Sequence, residues 1–235
     1  MAAVEFSNLT LFSDANLVSY YKLENVNDSK GSKTLTNNNT VGFSAGLFNN
    51  AADFGSSNTN KYFSRTDTYV TSGTDFTVAW WYKHNGQYST VSFSSDAGGG
   101  GSDEYYMIMY NAGNISFHSC NSDGSESDSA SGSVPSYDNT IWHHVAFVGA
   151  DSGSDWIKRV YVDGVQVATG TETGKTSGKL GNINVGRIIV EGTGLSTGLM
   201  DDLVIFNRAL TATEISTIYN GPITATTEQS YSYFM

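Results

Sequence analysis

An antiparallel β-sandwich is the fold class this sequence predicts, and three observations carry it. Short runs of β-branched and aromatic residues, bounded by Gly, Asn, Asp and Ser, recur along the chain. The composition matches, with 14 Tyr, 12 Phe and 25 Gly against only 2 Pro, and 15% charged residues. A single helix signature appears, close to the C-terminus. At 235 residues the chain is long enough for one sizeable core, and all-β domains of about 200–250 residues commonly fold as a single unit.

Taken in order, "LVSYYKLE" (17–24) is a strand, followed by the polar stretch "NVNDSKGSKTLTNNNTVG". "KYFSRT" precedes "DFTVAWWYKH" (75–84), in which Phe76, Val78, Trp80 and Tyr82 alternate with Thr77, Ala79, Trp81 and Lys83. "YSTVSFSS", "EYYMIMY" and "NISFHSC" follow, the last two flanking the turn "NAGN". "IWHHVAFVGA" leads to "DWIKRVYVDGVQVATG", where Asp163-Gly164 predicts a two-residue hairpin because that pair tolerates the positive φ angles of a type I′ turn. "NINVGRIIV" and the segment around "GLMDDLVIF" complete about a dozen strands. Thr211 with Glu214 forms a capping box, Leu210 and Ile215 a hydrophobic staple, and Gly221-Pro222 a stop, which together predict a helix over 212–220. "SSDAGGGGSDE" (94–104) and "NSDGSESDSASGS" (121–133) have too little hydrophobicity to order themselves and are expected to be loops.

The formal net charge of −11 at pH 7 repels phosphate backbones and anionic membranes, so neither nucleic acid nor membrane insertion is expected. Cys120 is the only cysteine, which leaves no intrachain disulfide. The opening "MAAVEFSNLTLF" carries no signal-peptide pattern, and no stretch reaches the roughly 20 apolar residues of a membrane span.

"GLMDDLVIFNRAL" (198–210) poses the central question. Its run from Leu199 to Phe206 is apolar apart from Asp201 and Asp202, which suits a strand covered on both faces, yet burying an unpaired carboxylate costs several kcal/mol or more. Alternation places Leu199, Asp201, Leu203 and Ile205 on one face and Met200, Asp202, Val204 and Phe206 on the other.

The pieces "LVSYYKLENVNDSKG", "AADFG", "FTVAWWYKH", "WHHVAFV", "VYVDGVQVATG" and "DDLVIFNRALTATEISTIYNG", in this order over about residues 17–221, resemble the laminin-G-like jelly-roll domains of the concanavalin A-like lectin/glucanase superfamily. The resemblance implies two packed antiparallel sheets in jelly-roll topology over 17–221, which leaves residues 1–16 as an N-terminal extension; the tail 222–235, with "ITATTEQSYSYFM", reads from its own residues as one more extended strand. It also implies a structural calcium ion shared between the "NDSKG" loop and "GLMDD", through Asp28 and Asp201 with Asp202 at the rim; calcium takes 6–8 oxygen ligands. The residues alone leave a second reading open, in which Asp28 closes an Asx turn and Asp201 is a strand-end carboxylate bonded to loop amides.

Other chemistry finds less support. Glycosidases of this superfamily carry an E-x-D-x-x-E run on one strand, and none occurs here; Asp201 and Asp202, read as facing apart, cannot meet the carboxyl separations of about 5–9.5 Å that glycoside hydrolysis needs. His143 and His144 are adjacent on a strand and are expected to be structural. "DGSESD" (123–128) lacks the spacing of a twelve-residue calcium loop. No catalytic residue is assigned. The expectation is a non-enzymatic recognition module, lectin-like, that binds glycan or a cell-surface polymer through Tyr88, Tyr105, Tyr106, Tyr137 and Trp156 at the loop edges. An open reading frame from Met1 without a signal peptide suits a phage or virus adhesion or decoration protein, placing it on a virion or extracellular surface. The alternative is a structural virion subunit that contacts other subunits, or its own copies, and binds no glycan.

Overall fold

A computed structural model describes residues 9–57, 60–85, 88–94, 104–110, 113–120, 126–134, 138–174, 179–189 and 195–224. The first strands are β1 (Leu17–Tyr21), β2 (Thr36–Asn38), β3 (Gly42–Ala45), β4 (Asn50–Gly55) and β5 (Tyr62–Arg65). Then come β6 (Phe76–Lys83), β7 (Tyr88–Ser94), β8 (Glu104–Tyr110), β9 (Asn114–Cys120) and β10 (Glu126–Ser133). The set closes with β11 (His143–Asp151), β12 (Asp155–Val162), β13 (Val165–Thr173), β14 (Asn182–Val185), β15 (Gly198–Phe206) and the helix α1 (Ala212–Thr224).

Two antiparallel sheets form the sandwich. The first runs β13-β12-β11-β6-β15-β4-β3, with β1 also paired to β15; the second runs β10-β9-β8-β7-β14-β5-β2. Their facing sides enclose Trp80, Phe147, Phe117, Phe76, Phe54 and Phe63, all fully buried. The outer side of the first sheet is covered too: Val204 and Phe206 pack with Leu210, Ile215 and Ile218 of the helix segment, and with Leu9, Leu11 and Phe12. That double cover is why β15 reads as a continuous apolar run.

The local signals behave as their chemistry dictates. Asp163 and Gly164 adopt φ of 49° and 78°, and Val162 pairs with Val165 across them. Glu214 N donates to Thr211 Oγ1 at 3.2 Å while Thr211 N donates to Glu214 Oε2 at 2.8 Å, so the capping box is closed in both directions. The helix continues past Gly221 and Pro222 to Thr224, four residues beyond the expected stop, although Pro222 has no N–H to give the preceding turn.

One expected loop is a strand. Glu126–Ser133 pairs with β9 as the edge of the second sheet, although it is mostly Ser, Gly and Asp. An edge strand needs only backbone partners, and small residues here permit close approach of the other sheet. A methyl group added at Gly132 would meet Val167 O at 2.6 Å, and one at Gly170 would meet Ala130 Cβ at 3.3 Å. Beside this closure, Lys158 Nζ lies 2.7 Å from both Glu172 Oε1 and Ser119 Oγ and 4.9 Å from the Trp156 ring centre. This fully buried lysine ties β12 and β13 to β9 across the sandwich.

Candidate functional site

The acidic pair sits where β15 changes partner. Gly198, Leu199 and Met200 pair with β4, whereas residues Leu203 to Phe206 pair with β1. Between the two stretches the register against β6 slips, and Asp202 takes φ of 48°, the signature of a bulge. Met200, Leu203 and Ile205 all join the inter-sheet core, while Val204 and Phe206 join the outer cluster. The strict alternation expected for this strand therefore fails at one point: two residues, Asp201 and Asp202, occupy the step that one would normally take.

The side chains fill the gap the partner change leaves. Asp201 Oδ2 accepts from Leu47 N at 2.9 Å and Phe48 N at 3.1 Å, and a methyl at Gly46 would lie 2.6 Å from the same oxygen. Asp202 Oδ1 accepts a hydrogen bond from the Tyr20 hydroxyl. Asp201 is wholly shielded from solvent, and its Oδ1 meets no hydrogen-bond donor among the described residues. Burial first, and the neighbouring Asp202 second, push its carboxyl well above the usual carboxylate range. Protonation thus relieves the electrostatic cost of the pair.

Asp28 belongs to a different arrangement. Its Oδ1 accepts from Tyr20 N at 3.1 Å, Lys30 N at 3.0 Å and Gly31 N at 3.0 Å, and its Oδ2 from Lys33 N at 3.4 Å. Among the described residues no three carboxylate, histidine or cysteine side chains gather as metal ligands. Asp28 and Asp201 each anchor a loop through backbone amides.

The expected ligand-binding aromatics separate. Tyr105 and Trp156 are buried in the inter-sheet core, their rings 5.2 Å apart, because the inward side of β8 carries Tyr105, Met107 and Met109. Neither can stack on a sugar. Tyr88 lies on the outer side of the second sheet, where it packs with Tyr110 over Ile108 and Ile188. Tyr106 is opposite Ser92 in the register, and Tyr137 lies outside the described residues, as does the expected C-terminal strand from 225 onward.

A groove that sequence reading did not single out lies on the outer face of that second sheet. Its volume is about 240 Å³, and its lining includes Tyr62, Ser64, Arg65, Asn182, Asn184 and Arg187. Register explains the floor: Ser64 pairs with Asn184, and Asn184 pairs with Ser92. Their neighbours Phe63, Ile183, Val185 and Phe93 point into the core. The signal was present in "NINV", whose alternation of Asn with Ile and Val marks one polar and one buried face. The Arg187 guanidinium lies 3.6 Å from the centre of the Tyr62 ring.

A solved structure of domain 4 of AbnA, a GH43 extracellular arabinanase from Geobacillus stearothermophilus in complex with arabinotriose, is similar with TM-score 0.63 and 22% identity, over 87% of this chain and 98% of that one. The botulinum neurotoxin type G receptor binding domain is similar with TM-score 0.62 and 16% identity, over 88% of this chain but only 51% of its own length. The CBM40 of the Ruminococcus gnavus IT-sialidase, bound to α2,3-sialyllactose, gives TM-score 0.51 and 14% identity over 66% of this chain and 97% of that one. Among curated protein sequences none matches. Residues 56–216, more than half of the chain, match the Laminin_G_3 family, and the chain accordingly belongs to that family of the concanavalin A-like lectin/glucanases superfamily.

Proposed function

We propose that the chain is a recognition module that binds glycan in the groove over β5 and β14. The observation that carries this reading is the groove itself: amide, hydroxyl and guanidinium groups beside the Tyr62 ring, on a sheet whose other face is a rigid aromatic core. Sugar recognition needs that combination, a few fixed polar groups and an apolar ring face on an ordered scaffold. The described lining is polar and cationic, an arrangement suited to holding a sugar by its hydroxyls. Similarity to a domain solved with arabinotriose and to a carbohydrate-binding module solved with sialyllactose supports the same direction. The setting we propose is a virion or extracellular surface, where such polymers are met.

The test is a glycan-array screen followed by titration of the best hit. Tyr62→Ala should weaken binding about tenfold, as expected for losing one aromatic face, and Asn182→Trp, which fills the groove from its floor, should abolish it. Hits whose affinity ignores both substitutions would move the site elsewhere on the fold.

A further inference from the structure

We propose that this groove selects acidic glycan, with the carboxylate of a uronate or sialate residue seated on Arg187; the inference rests on reading the groove as the glycan site. The charge balance of the chain makes the groove anomalous. The sequence holds 23 acidic and 12 basic residues, yet the lining includes two arginines and, among the described residues, no carboxylate. Arg65 is already engaged: its Nε and Nη2 bind Asp67 Oδ2 at 2.9 and 2.8 Å, and its Nη1 binds Thr34 O at 2.9 Å. Arg187 differs. Its contacts are neutral: the Tyr62 ring at 3.6 Å, Asn60 Oδ1 from Nη1 at 3.2 Å, and the Asn184 side-chain oxygen, in the amide orientation its neighbours require, from Nε at 3.1 Å. No carboxylate pairs with it among the described residues.

Those three contacts hold the guanidinium plane in place while leaving its charge uncompensated. A carboxylate would therefore meet a fork that is already ordered, so little side-chain entropy is lost on binding. Ser64 and Asn182, on the same lining as Arg187, place hydroxyl and amide groups where a sugar ring brings its own hydroxyls. The net negative charge opposes an acidic polymer at long range, but it is screened beyond about 10 Å at moderate ionic strength, and a charge-assisted contact at hydrogen-bond distance outweighs it.

The experiment titrates the intact protein with trigalacturonate against neutral galactotriose, and with 3′-sialyllactose against lactose, by calorimetry. We expect one acidic member to bind at least tenfold more tightly than its neutral match, the pair that responds distinguishing uronate from sialate. Arg187→Gln should remove that preference, so that the acidic and neutral members of the responding pair bind alike. Arg187→Lys should restore only part of it, because an ammonium lacks the planar fork. Equal affinity for acidic and neutral partners, with Arg187→Gln silent, overturns the acid preference and leaves the glycan groove standing. If none of the four binds and the array also finds no ligand, both readings fall. Melting curves of the two variants separate loss of binding from loss of fold.

Discussion

Asp201→Asn should stabilise this protein near neutral pH. In the folded chain Asp201 is shielded from water beside Asp202, and its carboxyl is held protonated above the ordinary value of 3.8. Because that shift is upward, the unfolded chain releases the proton first as pH rises, and stability falls from about pH 4 toward the folded value. Each pH unit within that window costs at most 1.36 kcal/mol, so by neutrality the ceiling is about 4 kcal/mol, and relaxation around the site reduces it to about 2 kcal/mol. Asparagine keeps an oxygen for Leu47 N and Phe48 N and adds donors that need no proton. For a chain of this size about 2 kcal/mol corresponds to a rise of about 4–8 °C in Tm. Thermal melts followed by circular dichroism, at about pH 4 and near neutrality, with calcium or with EDTA, provide the assay. The variant should match the parent in acid and exceed it near neutrality, and EDTA should alter neither. If the variant melts lower at neutral pH, or if EDTA lowers the Tm of the parent alone, Asp201 works as an ionised metal ligand and the argument fails.

Lys158→Met should cost about 3–5 kcal/mol in chemical denaturation, because it leaves Glu172 buried without its cation; adding Glu172→Gln should recover more than half of the loss. For His143, burial opposes the charged ring, but Asp163 Oδ2 at 2.7 Å and the Asp138 carbonyl at 2.8 Å outweigh it and raise the ring above 6.5. Its contribution is therefore complete below the unfolded value and disappears as pH rises through the folded one. The Tm difference between parent and His143→Gln should accordingly be largest in mild acid and shrink toward alkaline pH, and a difference that grows with pH would contradict this assignment.

What the sequence made legible follows from which interactions are local. The Asp163-Gly164 turn and the Thr211–Glu214 cap lie within a few residues of their partners, and both form as their chemistry requires. The alternation of "DFTVAWWYKH" likewise reports which side of β6 meets the core. Glu126–Ser133 escaped notice because its role as an edge strand depends on backbone bonds and on the smallness of Gly132, neither of which leaves a hydrophobic pattern. The bulge at Asp201 depends on β4 and β1 sharing one edge of β15, a relation between segments roughly 150 or more residues apart in sequence. Periodicity within one strand cannot carry that information. Trp156 and Tyr105 were misplaced for a similar reason: flanking polar loops suggested an exposed rim, but strand direction turns both rings inward. The groove residues Asn182 and Asn184 were readable as one polar face, whereas the proximity of Arg187 to Tyr62 is a product of tertiary structure alone.

The pairing of β1 with β15 has a consequence for how the molecule is made. A nascent chain emerging from the ribosome presents Leu17–Tyr21 long before Leu203–Phe206 exists, so β1 waits for about 180 further residues before its partner is made. Native closure of the first sheet then becomes a late event dominated by distant pairings, a topology that folds slowly.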